Sequence, residues 1–558
     1  MSQPVIIERV SNASNPKVDV NDQKYYNGVQ TPDPSEIEGG ALRPGGAPNL
    51  YSKENIGLLA QYAATGVVYG SLWAVIYPFL NNYLHMTGTE TASANALITL
   101  PWTWKMFFGI VSDCYPIFGY RRRPYVVIGW FITFVACFIM AVVPIGDPKY
   151  GDPALAYIPV ADLTREQVAM INDDAPSSGV KYIFLLVLAN LGCVIALTAS
   201  DGILVELAQR EPENIRGGTQ AMICVTQDIF QCFSAAMIGF GLNSADYGGT
   251  FSSAMGYNAV MGVCAFFSLA IIPISWFCMT ETTFERQSAR KYFVMIYDLL
   301  QQRVVYQIIA FRFFRNLFSW FSVTASYPIQ SLWARVTPVN SNTATIIGYL
   351  VASASYYATK KYGLNWSWRS MLVITQIAVI VIDAIPTFLT IWDVYRAQWF
   401  WLGGPIIEYL PNSIGYVIST FAVVEIIEVG NEAAVYGLIT TVSTLASPFS
   451  TVLSKNVCAN FDIDYAFLQV DDTHVREQVS YAYIIAYGFK LFSLVFVFLL
   501  PRQKAATQEL KRTGGKSKAL GILTIVYLIF TFCWSLMTNV MSFSSKTSCL
   551  KIAGGSGC

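Results

Sequence analysis

Gly109-Ile-Val-Ser-Asp-Cys-Tyr-Pro-Ile-Phe-Gly-Tyr-Arg-Arg-Arg-Pro-Tyr125 decides the fold of this chain. The stretch closes one strongly apolar run and turns through Asp113, Gly119 and the three arginines Arg121, Arg122 and Arg123. It then opens the next apolar run behind Pro124, a residue suited to the first turn of a helix. A short charged turn between two apolar runs reads as a loop between membrane helices. A carboxylate held beside arginines across such a turn can latch one helix pair to another in one conformation. The plainer reading is an anchor that only sets topology.

The composition agrees with a membrane chain. Of 558 residues, 54% are hydrophobic and 13% charged, with a mean hydropathy of +0.44, whereas a soluble domain has about 25% charged residues. Lys and Arg total 36, as do Asp and Glu, so no charge excess points to nucleic acid. Residues 1–50 are polar and rich in Pro and Gly and read as a disordered cytosolic tail. Most of the eleven cysteines lie within apolar runs and read as structural thiols. His85 and His474 are isolated, so neither a metal site nor a cofactor is expected.

A spanning helix needs about 20 mainly apolar residues. Such runs fall near 56–80, 93–113, 124–146, 181–203, 219–242 and 257–279, then 304–332, 342–360, 369–391, 402–428, 433–455 and 481–501. The seventh is the hardest to place, because Arg312 and Arg315 interrupt it. The expected fold is an all-α membrane protein with two six-helix bundles, 51–280 and 304–505, joined by a loop at 281–303. A basic linker, 506–518, leads to a further apolar run at 519–541 and a tail at 542–558. Arginines and lysines gather at 121–123, 286–291, 360–369 and 502–518, while loops 147–180 and 457–480 are acidic. The positive-inside rule places the basic side, and hence the N-terminus, in the cytosol. A thirteenth span would put Cys549 and Cys558 outside, where they can pair.

The halves resemble each other weakly. Tyr77-Pro78 near the outer end of helix 1 matches Tyr327-Pro328 in helix 7, and Glu206 at the end of helix 4 matches Glu425 at the end of helix 10. The turn Gly119–Pro124 has a degenerate counterpart in Gly363–Arg369. Three matches in order favour two repeats related by an axis along the membrane normal.

Ionisable groups inside a bilayer cost roughly 3 kcal/mol each on insertion scales, so those at depth are functional candidates. They are Lys105, Asp201, Asp228, Asp383, Arg312, Arg315 and Lys490. Gln220, Gln227 and Gln231 form a polar stripe with Asp228 beside it, Asn190 shares a face with Asp201, and Gln376 and Thr387 flank Asp383. Lipid cannot satisfy such stripes, so they face a cavity or other helices. Arg312 and Arg315 share a face and require anionic company, from a substrate carboxylate or from an acidic residue of the other half. The alternative for Asp201 is a structural ion pair, and for Lys490 a snorkelling contact. Gly514-Gly515-Lys516-Ser517 lacks the first glycine of a phosphate-binding loop, Leu510 standing in its place. Neither ATP-driven pumping nor an enzyme is indicated.

The chain resembles the folate–biopterin transporter (BT1) family of the major facilitator superfamily over residues 52–505. The resemblance rests on Gly109–Asp113 with Gly119–Tyr125, on Asp201–Ala208 with Glu211-Pro212 and Gly217–Gln220, on Tyr77-Pro78, and on Leu500-Pro501 with Lys504. It implies a secondary carrier of folate or biopterin, coupled to protons and working by alternating access, in the plasma membrane rather than an organelle. Asp228 or Asp201 can accept the amide-and-amino edge of a pterin. Arg312, Arg315 or Lys105 suit the carboxylates of a folate tail, and Trp73, Trp102 and Trp104 are candidates to stack on the ring. Gln227, Gln231 and Asp383 complete the expected substrate-binding set. The alternatives are a carrier of another metabolite, such as S-adenosylmethionine, or a membrane receptor that binds ligand without moving it.

Overall fold

A computed structural model of the chain describes residues 38–86, 88–153, 155, 163–286, 288–543, 547 and 550. Of the disordered tail expected over 1–50, residues 1–37 lie outside the described residues, as does the pairing of Cys549 with Cys558. Residues 38–50, by contrast, are described and pack on the protein, with Ala41, Leu42, Arg43 and Leu50 buried. Among the described residues the apolar runs become helices and the only β-pairing is in isolated bridges.

The first half holds α1 (Ile56–Ala74), α2 (Gly88–Thr99), α3 (Lys105–Cys114), α4 (Arg123–Val142), α5 (Ala175–Gln209), α6 (Gly218–Gly241) and α7 (Tyr257–Phe277). Helix α1 continues into a π-helical segment, Tyr77–Tyr83, so the first span runs over Ile56–Tyr83. Pro78 in its first turn has no N–H to give to the ladder. Pro101 likewise divides the second span, with 3-10 turns at Leu100–Trp104 between α2 and α3. Helix α5 has 35 residues, roughly 50 Å at 1.5 Å per residue. It therefore overshoots a hydrocarbon core of about 30 Å, and carries Glu206 and Gln209 out to the face where Arg121–Arg123 turn.

A surface helix, α8 (Ala289–Leu300), connects to the second half. This half holds α9 (Arg303–Ser319), α10 (Ser326–Leu332), α11 (Pro338–Ala358), α12 (Trp368–Ile391), α13 (Gln398–Ile426), α14 (Glu432–Cys458) and α15 (Thr473–Phe492). The seventh span is interrupted, but not at its arginines. Arg312 and Arg315 lie inside α9, and the break follows at Trp320–Ala325, where the Ser322 N–H donates to Ser454 Oγ at 3.1 Å. A tertiary partner satisfies the freed backbone, as a broken membrane helix requires. The eighth span begins earlier than its apolar run, because Thr337 caps α11 and Pro338 occupies its first position.

Helices α16 (Lys504–Thr513) and α17 (Lys518–Phe543) complete the order. Eight helices of the described residues are long and apolar enough to cross a membrane, and Lys518–Thr538 within α17 is among them. That helix lies across both halves, packing on α2 and α14. Trp534 stacks on Phe449 with ring centres 5.4 Å apart, and Phe532 meets Phe107 edge-on.

Within the first half α4 packs on α5 and α7, and α1 on α6; within the second, α13 packs on α11 and α12. The most extensive contacts across the seam between the halves are α6 on α11 and α3 on α14, with α5 also packed on α14. The contact of α3 with α14 is close enough to require glycine, since a Cβ at Gly109 would lie 2.5 Å from the Ala433 carbonyl oxygen. One turn further along α3, Asp113 is thereby brought against the start of α14.

Candidate functional site

The loop that opens the sequence sits at the seam. Arg122, fully buried, pairs with Asp113 at 2.5 Å and with Glu432 of the other half at 3.0 Å. Arg121 lies 3.5 Å from both Glu206 and Glu432. Asp113 Oδ2 accepts the Ala434 N–H and the Tyr292 hydroxyl, each at 2.9 Å, which ties α3 to α14 and to α8. Glu281 accepts the backbone N–H groups of Arg121, Arg122 and Arg123 at 2.7, 2.9 and 3.1 Å and so fixes the turn. Burial pushes the Glu281 carboxyl up, against the pull of those N–H groups and of Arg122. The Arg123 guanidinium points elsewhere, over the Tyr120 ring. Of the four residues expected to form the latch, three therefore share one network.

A second network stands beside it on the same face. Arg216 pairs with Glu425 across the seam, and Gln209 donates to the carbonyls of Val424 and Ile427 at 3.0 and 2.9 Å. The two glutamates matched by the repeat, Glu206 and Glu425, thus take different partners. Glu206 serves arginines of its own half, while Glu425 takes Arg216 from the other. Glu211 accepts the Gly217 and Thr219 N–H groups and the Thr219 hydroxyl. Burial still pushes its carboxyl up.

Deeper in, Lys105 and Asp201 pair at 2.5 Å with both side chains almost wholly buried. The Tyr62 hydroxyl donates to the same carboxylate, and the Lys105 ammonium lies over the rings of Trp102 and Tyr436. Asn190 donates to the Ile98 carbonyl rather than to Asp201. Asp383 is engaged inside the second half: Tyr487 donates to it at 3.1 Å, Thr387 at 3.4 Å, and Lys490 lies 3.8 Å away. Glu408, which the sequence did not single out, faces Asp383 within hydrogen-bonding reach. Gln376 accepts the Ser319 hydroxyl.

Three charged residues stand apart from these pairs. Asp228, half-buried on α6, has no hydrogen bond or ion pair among the described residues. Arg312 donates to the Ser419 carbonyl at 2.7 Å and to Ser443 at 3.4 Å, and its Nε is buried without a partner. Arg315, one turn on, also has an unpartnered buried Nε. Neither arginine has a carboxylate within ion-pair distance among the described residues. Asp228 belongs to the first half, whereas Arg312 and its partners Ser419 and Ser443 belong to the second. Gln227 and Gln231 are half-buried on the same helix as Asp228 and pack against Gly66 and Gly70 of α1. Trp73 and Trp102 both contact Tyr69, whereas Trp104 is 41% exposed. At the opposite face Tyr77 and Tyr327, the matched Tyr-Pro residues, lie near each other and are 51% and 62% exposed.

Residues 65–519 match the family model described as BT1 family. The chain belongs to the BT1 family. A folate-biopterin transporter from Synechocystis sp. is 24% identical over 420 residues, covering 72% of this chain and 74% of that protein. A shorter match, 31% identical over 70 residues, links it to folate transporter 1 of Plasmodium falciparum, covering 12% of this chain and 14% of that one. Among solved structures a D-xylose–proton symporter superposes with a TM-score of 0.53 at 12% identity, covering 80% of this chain and 98% of that one. The same score and identity are found for a proton:xylose symporter of the major facilitator superfamily bound to 6-bromo-6-deoxy-D-glucose, covering 82% of this chain and 96% of that one. This BT1 chain therefore has the major facilitator fold and is a multi-pass membrane transporter of a small molecule.

The pairs that sequence reasoning missed are long-range. Glu432 lies 310 residues from Arg122, and its one local signal is an acidic residue in the first turn of a helix. Glu408 stood between Pro405 and Pro411 in a run read only as apolar.

Proposed function

We propose that this BT1 transporter carries folate- or biopterin-type pterins by alternating access, coupled to protons. The observation that carries the reading is a set of unmatched charges, Asp228 in the first half and Arg312 and Arg315 in the second. Lys105, Arg122 and Arg216 each meet a carboxylate, whereas Arg312, Arg315 and Asp228 await a partner. Leaving a charge unmatched in a low-dielectric seam is costly unless a ligand or water meets it. A folate satisfies both ends of the arrangement. Its pterin edge presents paired N–H donors to Asp228, and the two carboxylates of its tail suit the forked donors of Arg312 and Arg315. S-adenosylmethionine, with a single carboxylate and a net positive charge, would neutralise at most one of the two arginines. The Lys105–Asp201 pair is already closed and takes a supporting part, while the half-buried carboxylates Asp228 and Asp383 provide proton acceptors.

In this reading the basic face is cytosolic, as the positive-inside rule requires, and the membrane is the plasma membrane. The Asp113–Arg122–Glu432 and Arg216–Glu425 networks are the inner gate, closed here, and Tyr77 with Tyr327 flanks the outer mouth. Uptake of labelled folate into proteoliposomes with an imposed pH gradient tests the proposal. Gradient-stimulated uptake is expected; binding of folate with no stimulated uptake would mean a receptor.

A further inference from the structure

The inner face of the seam holds a segment that belongs to neither half. Residues 38–43 precede the first span, yet Ala41, Leu42 and Arg43 are buried, at 3%, 9% and 8% exposure. The Leu42 and Arg43 N–H groups both donate to the Gln209 carbonyl, at 3.0 and 3.1 Å, and the Glu213 N–H donates to the Gly39 carbonyl at 2.9 Å. Arg216 donates to the Gly40 carbonyl. Gly39 and Gly40 both adopt left-handed backbone angles, φ +71° and +70°, and a Cβ on Gly39 would lie 3.0 Å from Pro212. Those contacts fasten the segment to the first half. The Arg43 guanidinium then reaches across and pairs with Glu432 of the second half, the carboxylate also held by Arg121 and Arg122.

The charges explain why a third arginine is useful there. Asp113, Glu206, Glu281 and Glu432 surround Arg121 and Arg122. With Arg43 the carboxylates exceed the cations by one, and without it by two. Glu432 is fully buried, so the loss of a cation from its shell is felt strongly. The segment is bonded to both halves, and Gln209, its main anchor, is itself hydrogen-bonded across the seam to Val424 and Ile427. The halves cannot part on this face while all of these bonds are kept.

We propose that residues 39–43 form a bolt that holds the basic-face gate shut and must leave its seat before that gate opens. This rests on the alternating-access reading but not on the identity of the cargo. Hydrogen–deuterium exchange on the full-length protein in lipid nanodiscs reads the gate directly, with no substrate added. Arg43→Ala is expected to raise exchange several-fold over both 204–218 and 424–434, with Arg43→Lys intermediate. Unchanged exchange over 424–434 in Arg43→Ala would overturn the proposal. Where that variant fails to fold, Leu42→Cys with Gln209→Cys supplies the opposite test. Oxidation should slow exchange over 424–434 and reductant should restore it; equal exchange in the two states would equally overturn the bolt. Loss of folate uptake in the wild type with these exchange results intact would count against the cargo alone.

Discussion

Arg216 and Glu425, 209 residues apart, meet across the seam through one guanidinium nitrogen that donates to both carboxylate oxygens, at 2.8 and 2.9 Å. Both side chains are almost fully buried. Gln508 of α16 adds a hydrogen bond to the same carboxylate at 2.7 Å, so the pair is supported from outside the bundles as well. Breaking one partner of a buried pair costs about 3–5 kcal/mol. Here that cost falls on the state closed at the basic face. Arg216→Ala is expected to increase labelling of a cysteine placed at Thr420 by a thiol reagent applied from the basic side. The charge-swapped double variant should recover part of the closure. Labelling equal to wild type in Arg216→Ala would mean the pair serves folding rather than gating.

The Lys105–Asp201 pair should behave as a unit. Lys105→Ala leaves the Asp201 carboxylate buried with only the Tyr62 hydroxyl, and a loss of about 3–5 kcal/mol is expected. Replacing both residues by apolar ones of similar size, Lys105→Met with Asp201→Leu, should be less harmful than Lys105→Ala. Thermal unfolding of the three proteins in the same detergent checks the order. A double variant less stable than the single would point to a network larger than the pair.

On the acidic face a pH dependence follows from Asp471. Burial alone would raise its carboxyl, but hydrogen bonds from Arg396 (2.5 and 3.0 Å) and Arg476 (2.9 Å) outweigh this and hold it below the usual range. A depressed carboxyl contributes stability that is present above the unfolded value of about 3.9 and lost as pH falls through the folded one. Asp471→Asn should therefore lower the melting temperature at neutral pH. Its deficit should shrink as the pH is taken below about 4. A deficit independent of pH would show that the hydrogen-bond geometry around Arg396 and Arg476, and not the carboxylate charge, carries the stability.

Asp228 is placed to be essential without being structural. It carries no hydrogen bond or ion pair among the described residues, so Asp228→Asn should leave the melting temperature within about 1 °C of wild type. Uptake should be abolished. Full uptake by a folded Asp228→Asn protein would remove this residue from the site.

Much of the architecture was legible because it follows from local rules. Twelve apolar runs, the proline-led starts and the basic loops are each readable within a window of 20 residues, and the helices fall close to them. Asp113 and Arg122 were legible as partners since a short turn joins them. Glu432 and Arg43 were not, because nothing near them in the chain states that they share a carboxylate–guanidinium contact. The break in the seventh span was misplaced for a related reason. Two arginines read as an interruption, yet the helix continues through them, with Arg312 donating to Ser419 and Ser443 of neighbouring helices, and the chain instead unwinds where Ser454 offers a hydrogen bond. For Asp201 a structural ion pair was a legible alternative, but nothing in the sequence named Lys105 as its partner. Only the packing of α3 on α5 brings the two together.

The measurement closest to the central claim is the binding of folate and of biopterin to wild type and to the double variant Arg312→Gln with Arg315→Gln, by calorimetry at one salt concentration. Both ligands have the pterin edge, but only folate has the two tail carboxylates. The expected result is a loss of tenfold or more in folate affinity, about 1.4 kcal/mol or more, with biopterin affinity nearly unchanged. Equal losses for the two ligands, or none for either, would contradict the assignment of these arginines to the substrate.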